Sequence, residues 1–138
     1  MKMFNKLWQS AVIASMVVAP LTWSAVTIYM CGDSTMQDWN EGYYPKQGQG
    51  QDFHFWFDPT KATVVNRGQG GMSLGGGGLD KKGNTAVGYY DMFFKKGCSN
   101  GNCIAEKLKA GDYVVIQFGI NDVNYSTEEF FASNMKKM

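Results

Sequence analysis

The sequence predicts an α/β fold, a parallel sheet covered by helices on both faces, with about three strands visible. Two observations carry this. Residues 26–31 (VTIYMC) and 113–118 (YVVIQF) are near-continuous apolar runs, with a shorter TVV at 63–65 between them. Such runs, rich in Val, Ile and Tyr, read as strands buried on both faces, the pattern of parallel sheets. Each run also ends in a small polar or glycine turn: Gly32-Asp33-Ser34, Asn66 to Gly71, and Gly119 to Asp122. In a parallel sheet these turns share one edge, and ligands bind outside the carboxyl ends of the strands.

The chain has 138 residues, room for one domain at most. Residues 1–25 read as a secretory signal peptide. Lys2 and Lys6 form a positive start, residues 11–21 are apolar but short for a bilayer, and Thr22-Trp23-Ser24-Ala25 offers cleavage after Ser24 or Ala25. An uncleaved anchor is the alternative, and either way the domain is exported, to the outside or a periplasm. About 113 residues then remain, enough for one modest core. The net charge of +1, with 18% charged residues, gives no field for nucleic acid or acidic polymers. Aromatic residues reach 14%, some for the core and some available to stack on sugar rings.

The first run predicts a strand ending at Ser34, placed where chemistry is usually done. A plain capped turn, with Asp33 or Ser34 capping the next helix, is the other reading. A helical turn is expected over 36–39, then loop. Phe53, Trp56 and Phe57 predict one apolar face of a short helix over 51–57, closed by Asp58-Pro59. His54, the only histidine, lies on that helix and reads as an exposed side chain rather than a catalytic one.

Residues 63–65 predict the second strand. The glycine-rich run after it, NRGQGGMSLGGGG, reads as backbone that bends sharply or approaches something closely, with a flexible loop over 75–78. A phosphate cradle would call for GxGxxG with a following acid, or GxxxxGK[ST], and neither is present. Tyr89, Tyr90, Phe93 and Phe94 could form a helix face. Asn102 is expected to cap a helix running through Lys109, with Ile104 and Leu108 inward and Gly111 as its stop. The third strand follows, and Ser126 to Glu129 reads as a capping box for a helix carrying Phe130 and Phe131.

Of three cysteines, Cys98 and Cys103 enclose the turn-forming Ser-Asn-Gly-Asn. In an oxidising compartment they form a small disulfide loop, with two free thiols as the alternative. Zinc is disfavoured because no further Cys or His pair accompanies them. Cys31 reads as a small buried apolar residue, with a catalytic thiol as the lesser alternative, since no His follows it at any recognisable spacing.

Three strand-end turns together bring a serine, a glycine amide and an asparagine amide to one place, which can supply a nucleophile and two oxyanion donors. GDST at Gly32 to Thr35, NRGQGG at Asn66 to Gly71 and GIND at Gly119 to Asp122 resemble, in order and spacing, the first three blocks of the SGNH (GDSL) hydrolases. The wider text, GDSTM, VVNRGQGGMS and GDYVVIQFGINDVN, is most similar to the rhamnogalacturonan acetylesterase branch. The resemblance spans residues 26–138. It implies a flavodoxin-like three-layer sandwich of strand order 2-1-3-4-5, of which this chain holds the N-terminal part.

The resemblance further implies Ser34 as nucleophile, with the Ser34 N–H, the Gly71 N–H and the Asn121 side chain holding the oxyanion, and Gly68 and Gly70 as structural. It implies an acetylated plant polysaccharide such as pectin as substrate, an acyl-enzyme, and no metal or cofactor. Two departures stand out. The family's Asp-x-x-His block, source of the base and its acidic partner, is absent from these residues, and Ile120 stands where the branch often has His. The chain is therefore expected to be an N-terminal fragment, inactive as given and unstable at the open side of its third strand. A non-catalytic carbohydrate-binding or accessory domain is the second function class, and a glycine-rich nucleotide binder a third.

Overall fold

A computed structural model describes residues 25–79 and 83–138. The leader expected over residues 1–25 lies, except for Ala25, outside the described residues. The centre is a three-stranded parallel sheet. Strand β1 (Val26–Gly32) lies between β2 (Ala62–Asn66) and β5 (Tyr113–Gln117), in the order β2-β1-β5. Met30 pairs with Asn66 on one side, and Gly32 with Gln117 on the other. All three strands therefore run out of the sheet at the same edge. At the opposite end the Asp112 carboxylate accepts from the backbone N–H of Thr27 (2.7 Å) and of Lys109 (2.9 Å), which clamps the start of β5 to β1. These bonds hold the Asp112 carboxyl below its ordinary pKa.

Alternation along β1 sends its side chains to two faces. Tyr29 and Cys31 join Tyr89, Phe94 and Ile104 in one buried cluster, while Ile28 and Met30 join Met36 in the other, backed by Phe53, Phe57 and Val64. The central strand is thus covered on both sides, as its sequence predicts. Strand β5 is not. Tyr113 (62% exposed) and Val115 (37%) share the face of Ile28 and Met30 by register, and this side of the edge strand is uncovered.

The other elements are short, and several differ from expectation. Residues 36–39 form no helix. Instead the Asp33 carbonyl accepts from both Met36 N and Gln37 N at 3.1 Å, a tight turn. The predicted helix over 51–57 is a 3-10 turn, Phe53–Trp56. Its chain goes extended at Phe57, which returns that ring to within 5.4 Å of Phe53 and leaves Trp56 82% exposed. Tyr90–Phe94 is a π-helical turn. Helix α1 (Ile104–Lys107) is one turn long. Cys103, not Asn102, precedes it, because the Cys98–Cys103 disulfide holds that residue extended at the helix start. Leu108 is already extended, so the helix stops short of Lys109.

The glycines at 75–78 are not a flexible loop. Gly76–Leu79 is strand β3, antiparallel to β4 (Thr85–Val87). A run of glycines carries no side-chain periodicity, so this hairpin is invisible to pattern reading. Its glycines serve close packing instead: a Cβ on Gly75 would collide with Ser126 Oγ and lie 2.6 Å from Phe131 N. Beyond β5, helix α2 (Asp122–Tyr125) leads into α3 (Glu128–Met135). Thr127 caps α3 by accepting from Phe130 N (3.3 Å), in place of the Ser126 box. Ser126 is unavailable because it bridges to Gly77 in an antiparallel pair.

Cys31 is fully buried, and loss of water pushes its thiol from an ordinary value of 9.0 up to about 12. The folded chain therefore keeps this proton between pH 9 and pH 12 while the unfolded chain has released it. The unfolded state binds fewer protons there, so the contribution is fully present below pH 9 and falls as pH rises towards 12. Alkylation at pH 8 should leave the folded chain unmodified, and unfolding in denaturant without reductant should release one reactive thiol, assigned to Cys31 by mass. A fast-reacting thiol in the folded chain, or three on unfolding, would contradict the buried thiol or the disulfide.

Candidate active site

The turn after β1 is built by a buried carboxylate. Asp33 Oδ1 accepts from Thr35 N (2.9 Å) and Thr35 Oγ1 (2.8 Å), and the residue is wholly inaccessible. The turn thus folds around Asp33 and leaves Ser34, half-buried, at its apex. The Ser34 carbonyl accepts from the Trp39 indole Nε1 at 3.0 Å. Its hydroxyl and its backbone N–H have no partner among the described residues. Both are free to meet a ligand.

The loop after β2 is stitched to this turn. Asn66 Nδ2 donates to the Met36 carbonyl and to Asp38 Oδ1, each at 2.7 Å, while its Oδ1 accepts from Gly68 N at 3.0 Å. The β1–β2 ladder continues past the strands, with Gln69 N donating to the Gly32 carbonyl at 2.9 Å. Gly68 packs so closely that a Cβ would lie 2.5 Å from Gln37 N, and one on Gly70 would strike the Gln37 side chain. Gly71 differs. It takes φ +77°, a conformation that other residues adopt only under strain, and the space around it is open. Of the loop amides, those of Arg67, Gly68, Gln69 and Met72 are hydrogen-bonded, whereas those of Gly70 and Gly71 have no partner among the described residues.

The turn after β5 closes the arrangement from the other side. Thr35 Oγ1 also contacts the Gln117 side chain. The hydroxyl faces Gln117 Oε1 as well as Asp33 Oδ1, so its single proton lies between the amide oxygen and the carboxylate. Asn121 Nδ2 donates to the Met72 carbonyl at 3.1 Å, next to Gly71. A primary amide has two N–H donors, so one remains. Asp122 is buried and accepts from Gly75 N (3.0 Å) and Gly119 N (3.1 Å), tying this turn to the glycine run.

The expected site residues therefore fall as follows. Gly71 and Asn121 lie side by side through the Asn121–Met72 bond. Ser34 is held to the same edge through the Gly32–Gln69 and Thr35–Gln117 links. His54 is not brought to this edge. It is exposed, lies against Phe55 with ring centroids 4.0 Å apart and planes tilted by 39°, and borders a cavity with Ala62, Thr63 and Val64, the amino-terminal part of β2. Cys31 is wholly buried inside β1, where burial raises its thiol pKa and keeps it from this edge. Among the described residues no cluster of three or more His, Cys, Asp or Glu could hold a metal ion. Sequence reasoning missed Gln117, Trp39 and Asp122. Gln117 had a faint signal, a polar residue inside an apolar strand run.

Among the described residues this edge offers a free hydroxyl, three free backbone amides (Ser34, Gly70 and Gly71) and a spare side-chain amide proton. Such a set suits a developing negative charge on oxygen. The chain matches no protein-family profile, no curated protein and no solved structure.

Asp122 joins the two outer loops, and its loss would strand two backbone amides. Asp122→Ala should destabilise the fold by about 3 kcal/mol in urea unfolding, with Asp122→Asn costing roughly half as much, because the amide still accepts one bond. A change within about 0.5 kcal/mol for Asp122→Ala would show that the loops hold without it.

Proposed function

We propose that this chain is the N-terminal part of an exported SGNH-type serine esterase that removes acetyl groups from a plant cell-wall polysaccharide such as rhamnogalacturonan or pectin. On this reading the sheet β2-β1-β5 forms the first three places of a flavodoxin-like order, 2-1-3. Support comes from the N–H groups of Ser34 and Gly71, unpartnered among the described residues, and the spare proton on Asn121 Nδ2, at one sheet edge with a serine hydroxyl likewise unpartnered. Ser34 Oγ attacks the acetyl carbonyl. The carbonyl oxygen gains the negative charge and takes the three N–H donors, the sugar hydroxyl leaves, and water then hydrolyses the acetyl-serine.

Ser34 must lose its proton to a base, and no histidine stands at this edge. On the esterase reading an Asp-x-x-His segment beyond these residues supplies it. The absence of a base beside Ser34 also favours a second reading, a carbohydrate-binding or accessory domain of the same fold. The half-exposed to exposed rings of Trp39, Tyr43 and Tyr44 next to the serine turn suit that role.

A fluorophosphonate probe separates the two. In a longer form carrying the Asp-x-x-His block it should label Ser34, and Ser34→Ala should abolish labelling. Label on Ser73, or label surviving the substitution, would remove Ser34 from the mechanism. In the same form Asn121→Ala should lower kcat by about 10²- to 10³-fold with a much smaller change in KM. Near-normal kcat would exclude Asn121 as a donor. The 138-residue chain itself should hydrolyse an aryl acetate no better than about 10³- to 10⁴-fold over water, and His54→Ala should not alter that rate. A rate that collapsed in His54→Ala would make His54 the base.

A further inference from the structure

We propose that Trp39 and Lys46 form a subsite for a carboxylate-bearing sugar ring beside Ser34. The proposal rests on the esterase reading and assigns a substrate feature to particular residues of that site.

Trp39 is anchored at both ends. Its backbone N–H donates to Gln51 Oε1 (2.9 Å), and its indole Nε1 donates to the Ser34 carbonyl (3.0 Å). Tyr43 flanks it, ring centroids 5.0 Å apart and tilted by 59°. The next residue, Tyr44, is 80% exposed. Lys46 N donates to the Tyr43 carbonyl (2.8 Å), and the Lys46 ammonium sits 3.5 Å over the centroid of the Trp39 ring. One indole therefore connects the candidate nucleophile to a fixed positive charge.

That charge is otherwise unspent. Among the described residues no carboxylate lies within ion-pair distance of Lys46, and it is the only Lys or Arg between Ser34 and Thr60. An ammonium resting on an aromatic face offers three N–H donors, and those pointing away from the ring remain available. Charge-assisted bonds to a carboxylate are the strong use for such donors. The aromatic rings around it are rigid and amphipathic, suited to the C–H face of a pyranose at little cost in side-chain entropy. Together they fit a uronate ring better than a neutral one.

Nearby acids sharpen the expectation. The Asp38 carboxylate already accepts from Asn66. The carboxylate of Glu41, in the 3-10 turn Glu41–Tyr43 that carries Tyr43, has no partner among the described residues and opposes an anionic ligand.

The test follows the Trp39 indole N–H by NMR in the 138-residue chain, assigned with Trp39→Phe, during titration with trigalacturonate and with its carboxyl-reduced, neutral counterpart. The charged trimer should shift this resonance and bind about tenfold tighter than the neutral one. Lys46→Gln should erase the preference, Lys46→Arg should keep it, and Glu41→Gln should enhance it. Lys46 is exposed, so these variants leave the core untouched. Equal affinity for the two trimers, no binding of either, or an unchanged preference in Lys46→Gln overturns the subsite. Phosphonate labelling of Ser34 reports separately on the esterase reading. Labelling without preference sinks the subsite alone, and preference without labelling keeps it as a sugar site while sinking the esterase.

Discussion

The parallel pairing of β1 with a strand on each side is the constraint on which everything else depends. Because Met30 faces Asn66 and Gly32 faces Gln117, three separate loops leave the sheet at one edge. Antiparallel pairing on either side would send one loop to the far end. The pairing is driven by burial: Tyr29, Met30 and Cys31 are almost wholly inaccessible, so a slip of one residue would exchange the two clusters they fill.

Burial alone would bring the loops near each other without ordering them. Polar groups do that. Asp33 shapes the serine turn, Asn66 joins it to the second loop, Gln117 joins it to the third strand, and Asp122 joins the third loop to the glycine run. Each of these side chains is spent on structure. Among the described residues the groups left over are the Ser34 hydroxyl and amide, the Gly70 and Gly71 amides and one Asn121 proton, and the proposed esterase reading draws its donors from these. The division of labour follows from geometry: a carboxylate or amide that must satisfy buried N–H groups cannot also serve a substrate.

The strands and their shared edge were legible in the sequence because long apolar runs ending in small polar turns have few other solutions. The buried Cys31 was legible from its place inside such a run, and the disulfide from the turn-forming tetrapeptide between Cys98 and Cys103. The hairpin of β3 and β4 was not, since glycines at 76–78 bear no side chains whose alternation could be read. The cap of α3 moved by one residue because a tertiary bridge claimed Ser126, which local pattern cannot foresee. The roles of Trp39 and Gln117 also depend on contacts across the sheet edge, with partners 5 and 82 residues away in sequence. The uncovered face of β5 departs most from expectation. Its sequence reads as doubly buried, yet Tyr113 and Val115 stand open.

The central claim is that the Ser34, Gly71 and Asn121 donors converge on one oxygen. NMR of a phosphonate adduct on Ser34, in a form carrying the Asp-x-x-His block, tests it most directly. Convergence predicts downfield shifts of the Ser34 and Gly71 amide protons and of one Asn121 side-chain proton when the phosphonyl oxygen arrives, with the Gly68 and Gln69 amides unmoved. Shifts confined to Ser34, or larger at Gly68 and Gln69 than at Gly71 and Asn121, would contradict it.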